Sequence, residues 1–162
     1  MKKLSFGCGN DIKEGWDNCD IQKARGLIYC DGNKFPYPFK DNIYEYILLR
    51  EVLEYLNEPE NVLLELWRIA KPRAIIDIEV PYCNNKGAQN DMQIKHYFSD
   101  TTFRVLVEPP HRIKKEKRFE IVYLKLIPTK IGKFMPENLR IILSLFIGGI
   151  LSKVRVKLKI IK

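Results

Sequence analysis

Short apolar runs alternate with one long amphipathic stretch through the first two thirds of the chain. The apolar runs predict strands at residues 3–6, 18–21, 27–30, 44–49 and 73–80. Residues 59–70 have apolar positions at helical spacing, Pro59 suits a first helical turn, and Pro72 follows the end. Strands separated by a helical pattern imply βαβ units. The pattern therefore predicts an α/β fold with a mainly parallel sheet.

The last third of the chain has a different pattern. Residues 117–127 and 153–161 are both strand-like, and the second alternates apolar residues with lysine or arginine. We expect an antiparallel hairpin at a sheet edge, where lysines discourage edge-to-edge aggregation. Two interpretations of these lysines stay open: a solvated strand face, or a surface that binds phosphate or anionic lipid.

An apolar stretch, LRIILSLFIGGIL, lies between these two strands at residues 139–151. A helix that spans a bilayer needs about 20 apolar residues, so this stretch is too short to cross one. Three interpretations stay open: a helix of the core, an interface for a partner, or a helix that lies in the membrane interface.

Composition and charge refine this picture. The chain has 162 residues, of which 46% are hydrophobic and 30% charged, as in a globular domain rather than a disordered chain. Residues 1–111 carry 14 Lys and Arg against 17 Asp and Glu, a net of −3, whereas residues 112–162 carry 14 against 3, a net of +11. We expect a single domain over residues 1–162, with a core at 1–111 and a basic hairpin at 112–162 that contains the apolar helix.

The cysteines do not indicate a metal site or a disulfide framework. The four cysteines form no CxxC pair, and only His96 and His111 are available to join them. The sequence LSFGCG follows MKK directly and is too short and glycine-rich for the apolar part of a signal peptide. We therefore expect reduced thiols and a cytoplasmic protein.

The strongest local signal for a ligand site is Gly7-Cys8-Gly9 directly after the first strand. Glycines there let the backbone turn sharply at the edge of a parallel sheet where α/β proteins bind nucleotides. Asp20 and Asp31 close the next two strands and reach the same edge, where carboxylates can accept hydrogen bonds from a ribose diol and from an adenine amine. Only ten residues separate Gly9 from Asp20, which leaves little room for a helix to hold a pyrophosphate. The ligand is expected to be an adenosine without a diphosphate; the competing interpretation is that both carboxylates are ordinary turn acids.

These segments resemble the class I S-adenosylmethionine-dependent methyltransferases, in particular the small type 11-like group. The resemblance covers residues 3–106 and rests on LSFGCGND, GWDNCDI, YCDGNKFPYPFKDNIYEYILLREVLEYL, LWRIAKPRAIIDIEVP and, more weakly, NDMQIKHYFSDTTF. It implies a Rossmann-like methyltransferase fold with S-adenosylmethionine as the cofactor and the core at 1–111 as the cofactor-binding part. No helix precedes the first strand, so we expect one wall of the usual pocket to come from the C-terminal helix or a second subunit of a homodimer.

The resemblance assigns the cofactor residues one by one. The methionine part of the cofactor would lie against Phe6, Gly7, Cys8 and Gly9, where Cys8 is a small turn residue and not a nucleophile. The ribose would bind Asp20, and the adenine would lie at Asp31, Gly32 and Asn33. The sulfonium and the acceptor would face Arg50 and Glu51. The chain departs from the family pattern at Ser5, Asp11, Tyr55 and Arg73-Ala74.

The acceptor is less defined than the cofactor. A general base helps only when the acceptor atom arrives protonated, and we expect His96 in that role, with Glu51 and Tyr82 as neighbours; a solvated or capping His96 is the competing interpretation. Nucleobase and glutamine methyltransferases usually carry NPPY after the fourth strand, where this chain has LLRE. The expected acceptor is a small molecule, a sugar or a lipid-linked saccharide. The alternatives are a nucleic-acid methyltransferase and a non-catalytic membrane-surface or partner-binding module, with peripheral membrane contact through residues 136–152.

Overall fold

The computed structural model describes residues 1–108 and 118–162. The strands are β1 (Lys3–Phe6), β2 (Asp17–Asp20), β3 (Ile28–Tyr29), β4 (Tyr44–Arg50), β5 (Ala70–Pro81), β6 (Phe119–Pro128) and β7 (Leu151–Ile160). The α-helices are α1 (Pro59–Ile69), α2 (Lys86–Gln89), α3 (Asp100–Val107) and α4 (Glu137–Ser144). Two 3₁₀ turns lie at Leu53–Tyr55 and Gly132–Phe134.

The seven strands form one sheet in the order β3-β2-β1-β4-β5-β7-β6. The first five strands are parallel, and β7 runs antiparallel to both β5 and β6. The predicted α/β class with a mainly parallel, Rossmann-like sheet and antiparallel C-terminal strands is confirmed. The carboxyl ends of β1, β2, β4 and β5 therefore meet at one edge of the sheet.

One face of the sheet is apolar and carries the helices. Alternate residues of each central strand, such as Leu49, Ile76 and Val156, are fully buried on this face. The helix α1 buries Val62, Leu63, Leu66 and Ile69 against them, and Pro59 occupies its first turn. The helix α3 packs Phe103 into the same cluster, and Ser99 and Thr102 cap its N-terminus reciprocally.

The opposite face of the same strands is charged. Asp77 of β5 is fully buried and accepts hydrogen bonds from Arg155 Nε and Nη2 at 2.9 and 2.6 Å and from the Tyr46 hydroxyl. Lys157 Nζ lies 3.7 Å from the same carboxylate, and Lys153 Nζ lies 2.9 Å from Glu79. The lysines and arginine of β7 thus pair with acids of β5.

Two details of the chain differ from the sequence predictions. The strand β7 is interior, between β5 and β6, so its lysines form ion pairs across the sheet and do not protect an edge. The segment between β1 and β2 contains turns and no helix, in agreement with its short length. The helix in the apolar stretch spans Glu137–Ser144 and leaves most of its large apolar side chains exposed, so the core-helix interpretation is wrong. Part of the predicted strand at 117–127 and His111 lie outside the described residues.

Candidate cofactor site

A sharp turn after β1 forms one wall of the site. Gly7 has φ +64°, and a Cβ there would lie 2.5 Å from Val52 Cγ2, so both its conformation and its surroundings require glycine. The backbone amides of Gly7 and Cys8 donate to the Cys19 carbonyl at 2.8 and 3.1 Å, which ties the turn to the end of β2. Gly9 has φ +51° and faces open space. The turn therefore leaves backbone accessible to a ligand beside Asp20.

Asp20 at the end of β2 is held in place by backbone amides. Its Oδ2 accepts from Gly9 N at 2.8 Å, and its Oδ1 accepts from Gln22 N at 2.9 Å. A carboxylate oxygen has two lone pairs, so each oxygen retains acceptor capacity after these bonds. Asp20 is buried in this position but lines the cleft. The oriented carboxylate fits the two hydroxyls of a ribose.

The segment after β3 forms the neighbouring wall, and Cys30 N donates to the Asp20 carbonyl at 2.9 Å. Asp31 Oδ1 accepts from Asn33 N at 3.0 Å, and Asn33 Oδ1 accepts from Asn57 N at 2.7 Å. The Gly32 carbonyl accepts from the Tyr37 hydroxyl at 3.0 Å, and a Cβ at Gly32 would lie 2.8 Å from Leu56 Cδ2. These contacts fix a backbone edge beside the Asp31 carboxylate, where the amine of a purine can donate.

Between these walls lies a cleft of about 350 Å³, within the ordinary range for small-ligand sites. The cleft is lined by Phe6, Gly7, Asp20, Ile21, Cys30, Asp31, Gly32, Asn33, Glu51, Val52, Tyr55, Leu56 and Gln93. Apolar side chains, a diol acceptor and an amine acceptor in one cleft fit an adenosine derivative such as S-adenosylmethionine.

The structure places the remaining predicted residues in three different locations. Glu51 lines the cleft, and its Oε1 is 2.9 Å from Lys153 Nζ. Cys8 is buried behind the turn, and burial together with the nearby Asp20 raises the pKa of its thiol, which is consistent with a packing role. The side chain of Arg50 lies outside the cleft, in a hollow with Lys3, Trp16 and Arg155 on the charged face of the sheet.

His96 and Tyr82 lie outside the residues that line the cofactor cleft. His96 Nε2 is 3.1 Å from the Asn57 carbonyl, to which it can only donate, so Nδ1 is the nitrogen left to accept a proton. Tyr82 lies in a second cleft of about 430 Å³ beneath α4, with Asp100, Arg104 and Ser144. Burial raises the pKa of the Tyr82 hydroxyl. The structure does not bring these two side chains together with Glu51 in one cavity.

Sequence reasoning missed Glu54, one residue before Tyr55 in the cleft wall. Glu54 is 1% exposed, and neither of its carboxylate oxygens has a hydrogen-bond partner among residues 1–108 and 118–162. Burial raises the pKa of this carboxyl to about 7, and the nearby Glu51 acts in the same direction. The sequence did contain an indication of this burial: Glu54 is an acidic residue between Leu53 and Leu56, and both leucines are buried.

Comparisons with known proteins agree with this geometry. Residues 4–77 match the family model described as a methyltransferase domain, type 11. A search of the curated proteins gave no match. Among solved structures, an S-adenosylmethionine-dependent methyltransferase from Archaeoglobus fulgidus superposes with TM-score 0.71 at 15% identity, covering 98% of this chain and 86% of that one.

Two further structures show how widely the fold is used. The cyclase SpnF superposes with TM-score 0.67 at 14% identity, covering 99% of this chain and 74% of that one. The methyltransferase in complex with the Trm112 activator from Haloferax volcanii gives TM-score 0.59 at 15% identity, covering 96% and 81%. At these identities the superpositions show the fold.

The family match and the fold together define the class of protein. Residues 4–77 match the type 11 methyltransferase domain, the described chain has the Rossmann-like fold of S-adenosylmethionine-dependent methyltransferases, and the cofactor that the family match implies is S-adenosylmethionine.

Proposed function

We propose that this protein transfers a methyl group from S-adenosylmethionine to a small molecule, a sugar or a lipid-linked saccharide. The observation that carries the proposal is the cleft, which joins the Gly7–Gly9 turn, the oriented Asp20 carboxylate and the Asp31–Asn33 edge. Each of these features fits a different part of one adenosine ligand. A module that only binds a partner protein would not need all three in one cleft.

The residues of the cleft would act mainly by positioning. The cofactor supplies a methyl group activated by a sulfonium. Asp20 and Asp31 would fix the nucleoside, and the open backbone at Gly9 would lie against the methionine part. Holding donor and acceptor in the attack geometry accounts for much of the acceleration that such a displacement needs. Glu51 at the cleft wall, paired with Lys153, would face the acceptor.

A separate proton acceptor is needed only for an acceptor atom that arrives protonated. Of the three residues proposed for this region, Glu51 lines the cofactor cleft, whereas His96 and Tyr82 lie outside its lining. We therefore rank Glu51 first as the group that contacts the acceptor and keep His96, through Nδ1, as the candidate base.

The acceptor class is supported by two features of the sequence. The carboxyl end of β4 reads LLRE instead of a nucleobase-type NPPY, and the basic residues are concentrated at 112–162. Most of the β7 cations pair with acids of the same sheet, which leaves fewer of them to follow a phosphate backbone. These observations favour a small or lipid-linked acceptor over a nucleic acid.

Labelled-methyl transfer tests this proposal. The wild-type chain is incubated with methyl-labelled cofactor and pools of sugars, lipid extracts and RNA, and Asp20→Ala is compared with Asp11→Ala, an exposed acid in the loop between β1 and β2. We expect label in a sugar or lipid fraction, lost with Asp20→Ala and retained with Asp11→Ala. Label confined to RNA would overturn the acceptor class. A chain that binds the cofactor and labels none of the pools would instead support a non-methylating use of the fold, as the name of the cyclase SpnF illustrates.

A further inference from the structure

The connection between β6 and β7, residues 129–150, exposes many large apolar side chains to solvent, whereas surface connections are usually polar. We call this segment the apolar cap. Of the 19 large hydrophobic side chains exposed in the described residues, eight lie between residues 131 and 147. The most exposed are Phe134 at 91% and Phe146 at 81%, followed by Leu145 and Ile131. Contiguous exposed apolar patches of this kind mark interaction surfaces.

Hydrogen bonds within the cap hold its backbone together, and Asn84, in the loop after β5, ties it to the rest of the protein. Thr129 Oγ1 donates to the Gly149 carbonyl at 2.7 Å, and Asn84 Nδ2 donates to the Ser144 carbonyl at 3.0 Å. Arg140 donates to the Gly132 and Met135 carbonyls at 2.9 and 2.8 Å. Hydrogen bonds thus hold the cap in place while its apolar side chains remain exposed.

The position of Gly132 strengthens this point. A Cβ at Gly132 would overlap the Ile150 carbonyl oxygen, so the 3₁₀ turn packs directly on the start of β7. Tight packing on the inner side and exposure of Phe134 on the outer side occur within the same turn. At this turn, backbone packing fixes which side faces the protein and which side is exposed.

Charge decides which partner fits. The cap carries Lys130, Lys133 and Arg140 against Glu137 alone, a net of +2. Lys130 and Lys133 are exposed and have no ion-pair partner within the described part of the chain. Two copies of a positively charged cap would repel each other. An anionic bilayer, in contrast, attracts the lysines to its headgroups and accepts the apolar side chains among its acyl chains. A protein partner would need a pocket for each of the exposed side chains of Phe134 and Phe146, whereas a bilayer would not.

We infer that the apolar cap docks the protein onto anionic lipid bilayers, with Phe134, Leu145 and Phe146 inserted and Lys130 and Lys133 at the headgroups. None of the helices in residues 1–108 and 118–162 is long and apolar enough to cross a membrane, so this contact is interfacial. The cap projects from the carboxyl edge of the sheet, where β6 ends and β7 begins and where Asp20 and Glu51 also lie. Docking would hold that edge near the bilayer.

Vesicle flotation tests the docking independently of methyl transfer. Wild-type protein is floated with neutral phosphatidylcholine vesicles and with vesicles containing phosphatidylglycerol. The double variant Phe134→Ser, Phe146→Ser is compared with Met92→Ser, Val122→Ser, which removes exposed apolar side chains elsewhere. We expect the first double variant to bind anionic vesicles at least about tenfold more weakly and the control to bind like wild type. Thermal melting of each variant confirms that it is folded.

A second arm tests the charge. Lys130→Glu with Lys133→Glu should weaken binding to anionic vesicles several-fold, and added salt should weaken wild-type binding in the same way. Equal flotation of wild type and the Phe134, Phe146 variant would overturn the proposal. Equal binding to neutral and anionic vesicles would also overturn it. A folded wild type that does not float but dimerises through the same two phenylalanines would assign the cap to a second copy instead.

Discussion

The two faces of the central sheet are stabilised by different interactions, although the same strands supply both. On the helical face, side chains such as Ile76 and Leu49 are buried against α1 and against each other. On the opposite face, one residue away in sequence, Asp77 is buried among Arg155, Lys157 and Tyr46. The comparison shows that burial in this protein is achieved by apolar packing on one side and by paired charges on the other. Sensitivity of stability to salt should therefore belong mainly to the charged face.

The largest loss in the free energy of unfolding should come from removing Asp77, the central acid of the charged face. Asp77→Ala leaves Arg155 without its carboxylate inside a partly buried cluster, and removing one partner of a buried ion pair typically costs about 3–5 kcal/mol. The measurement is urea unfolding of the wild type and the variant. A double variant, Asp77→Leu with Arg155→Met, should recover most of the loss, because no charge is then left unpaired. If the single variant is as stable as the wild type, the Asp77 cluster does not stabilise the charged face.

A slightly smaller effect is expected on the apolar face. Ile76→Ala removes a fully buried side chain, and such truncations cost about 2–5 kcal/mol through lost burial and the cavity left behind. Its neighbour Ile75 points to the opposite face and is half-buried, so Ile75→Ala is the matched control and should cost markedly less. The two free energies of unfolding, measured together, check the assignment of faces. Equal losses would contradict it.

Asp77 and Glu54, the two most deeply buried carboxyls in the described residues, have opposite pH dependences. Burial opposes ionisation of Asp77, but hydrogen bonds from Arg155 and Tyr46 hold its pKa below the ordinary value, so its stabilisation is lost as the pH falls through the folded-state pKa. Burial raises the pKa of Glu54 from 4.5 to about 7. The folded chain then binds this proton more tightly, so the free energy of unfolding falls between about pH 4.5 and 7, by about 3 kcal/mol, and levels off above.

Unfolding of Glu54→Gln across this pH range measures the effect. The variant should lose the downward slope and be more stable than the wild type above pH 7. Glu58→Gln, an exposed acid four residues along, is the control and should keep the wild-type slope. A slope that survives in Glu54→Gln would show that another group carries it.

The sequence pattern predicted the individual strands and helices better than the order of the strands in the sheet. The first strand was predicted with the bounds of β1, and the helix at 59–70 differs from α1 by one residue. Periodicity also separated the two faces of β7, because alternation is a local property. It placed the antiparallel pair at a sheet edge, where the pair lies, but did not show that β7 is the inner strand, since strand order depends on pairing across the chain: Asp77 and Arg155 are 78 residues apart. The short helix α3 was not singled out, because eight residues give little periodicity.

The candidate site shows the same division. Asp20 and Asp31 could be predicted because the ends of parallel strands share an edge, and both line the cleft. Arg50 follows the same rule in sequence, but its side chain points to the charged face, since consecutive residues of β4 alternate between faces. The contact of Lys153 with Glu51 depends on the position of β7 in the sheet and had no local signal.

The central claim is that the cleft between Gly7, Asp20 and Asp31 binds the cofactor. Calorimetric titration of S-adenosylhomocysteine into the wild type tests it most directly, with Asp20→Ala and Asp11→Ala measured alongside. We predict saturable binding at one site per chain, weakened at least about tenfold in Asp20→Ala through loss of charged hydrogen bonds and unchanged in Asp11→Ala. A folded wild-type protein that does not bind, or an Asp20→Ala variant that binds as tightly as the wild type, would contradict the claim.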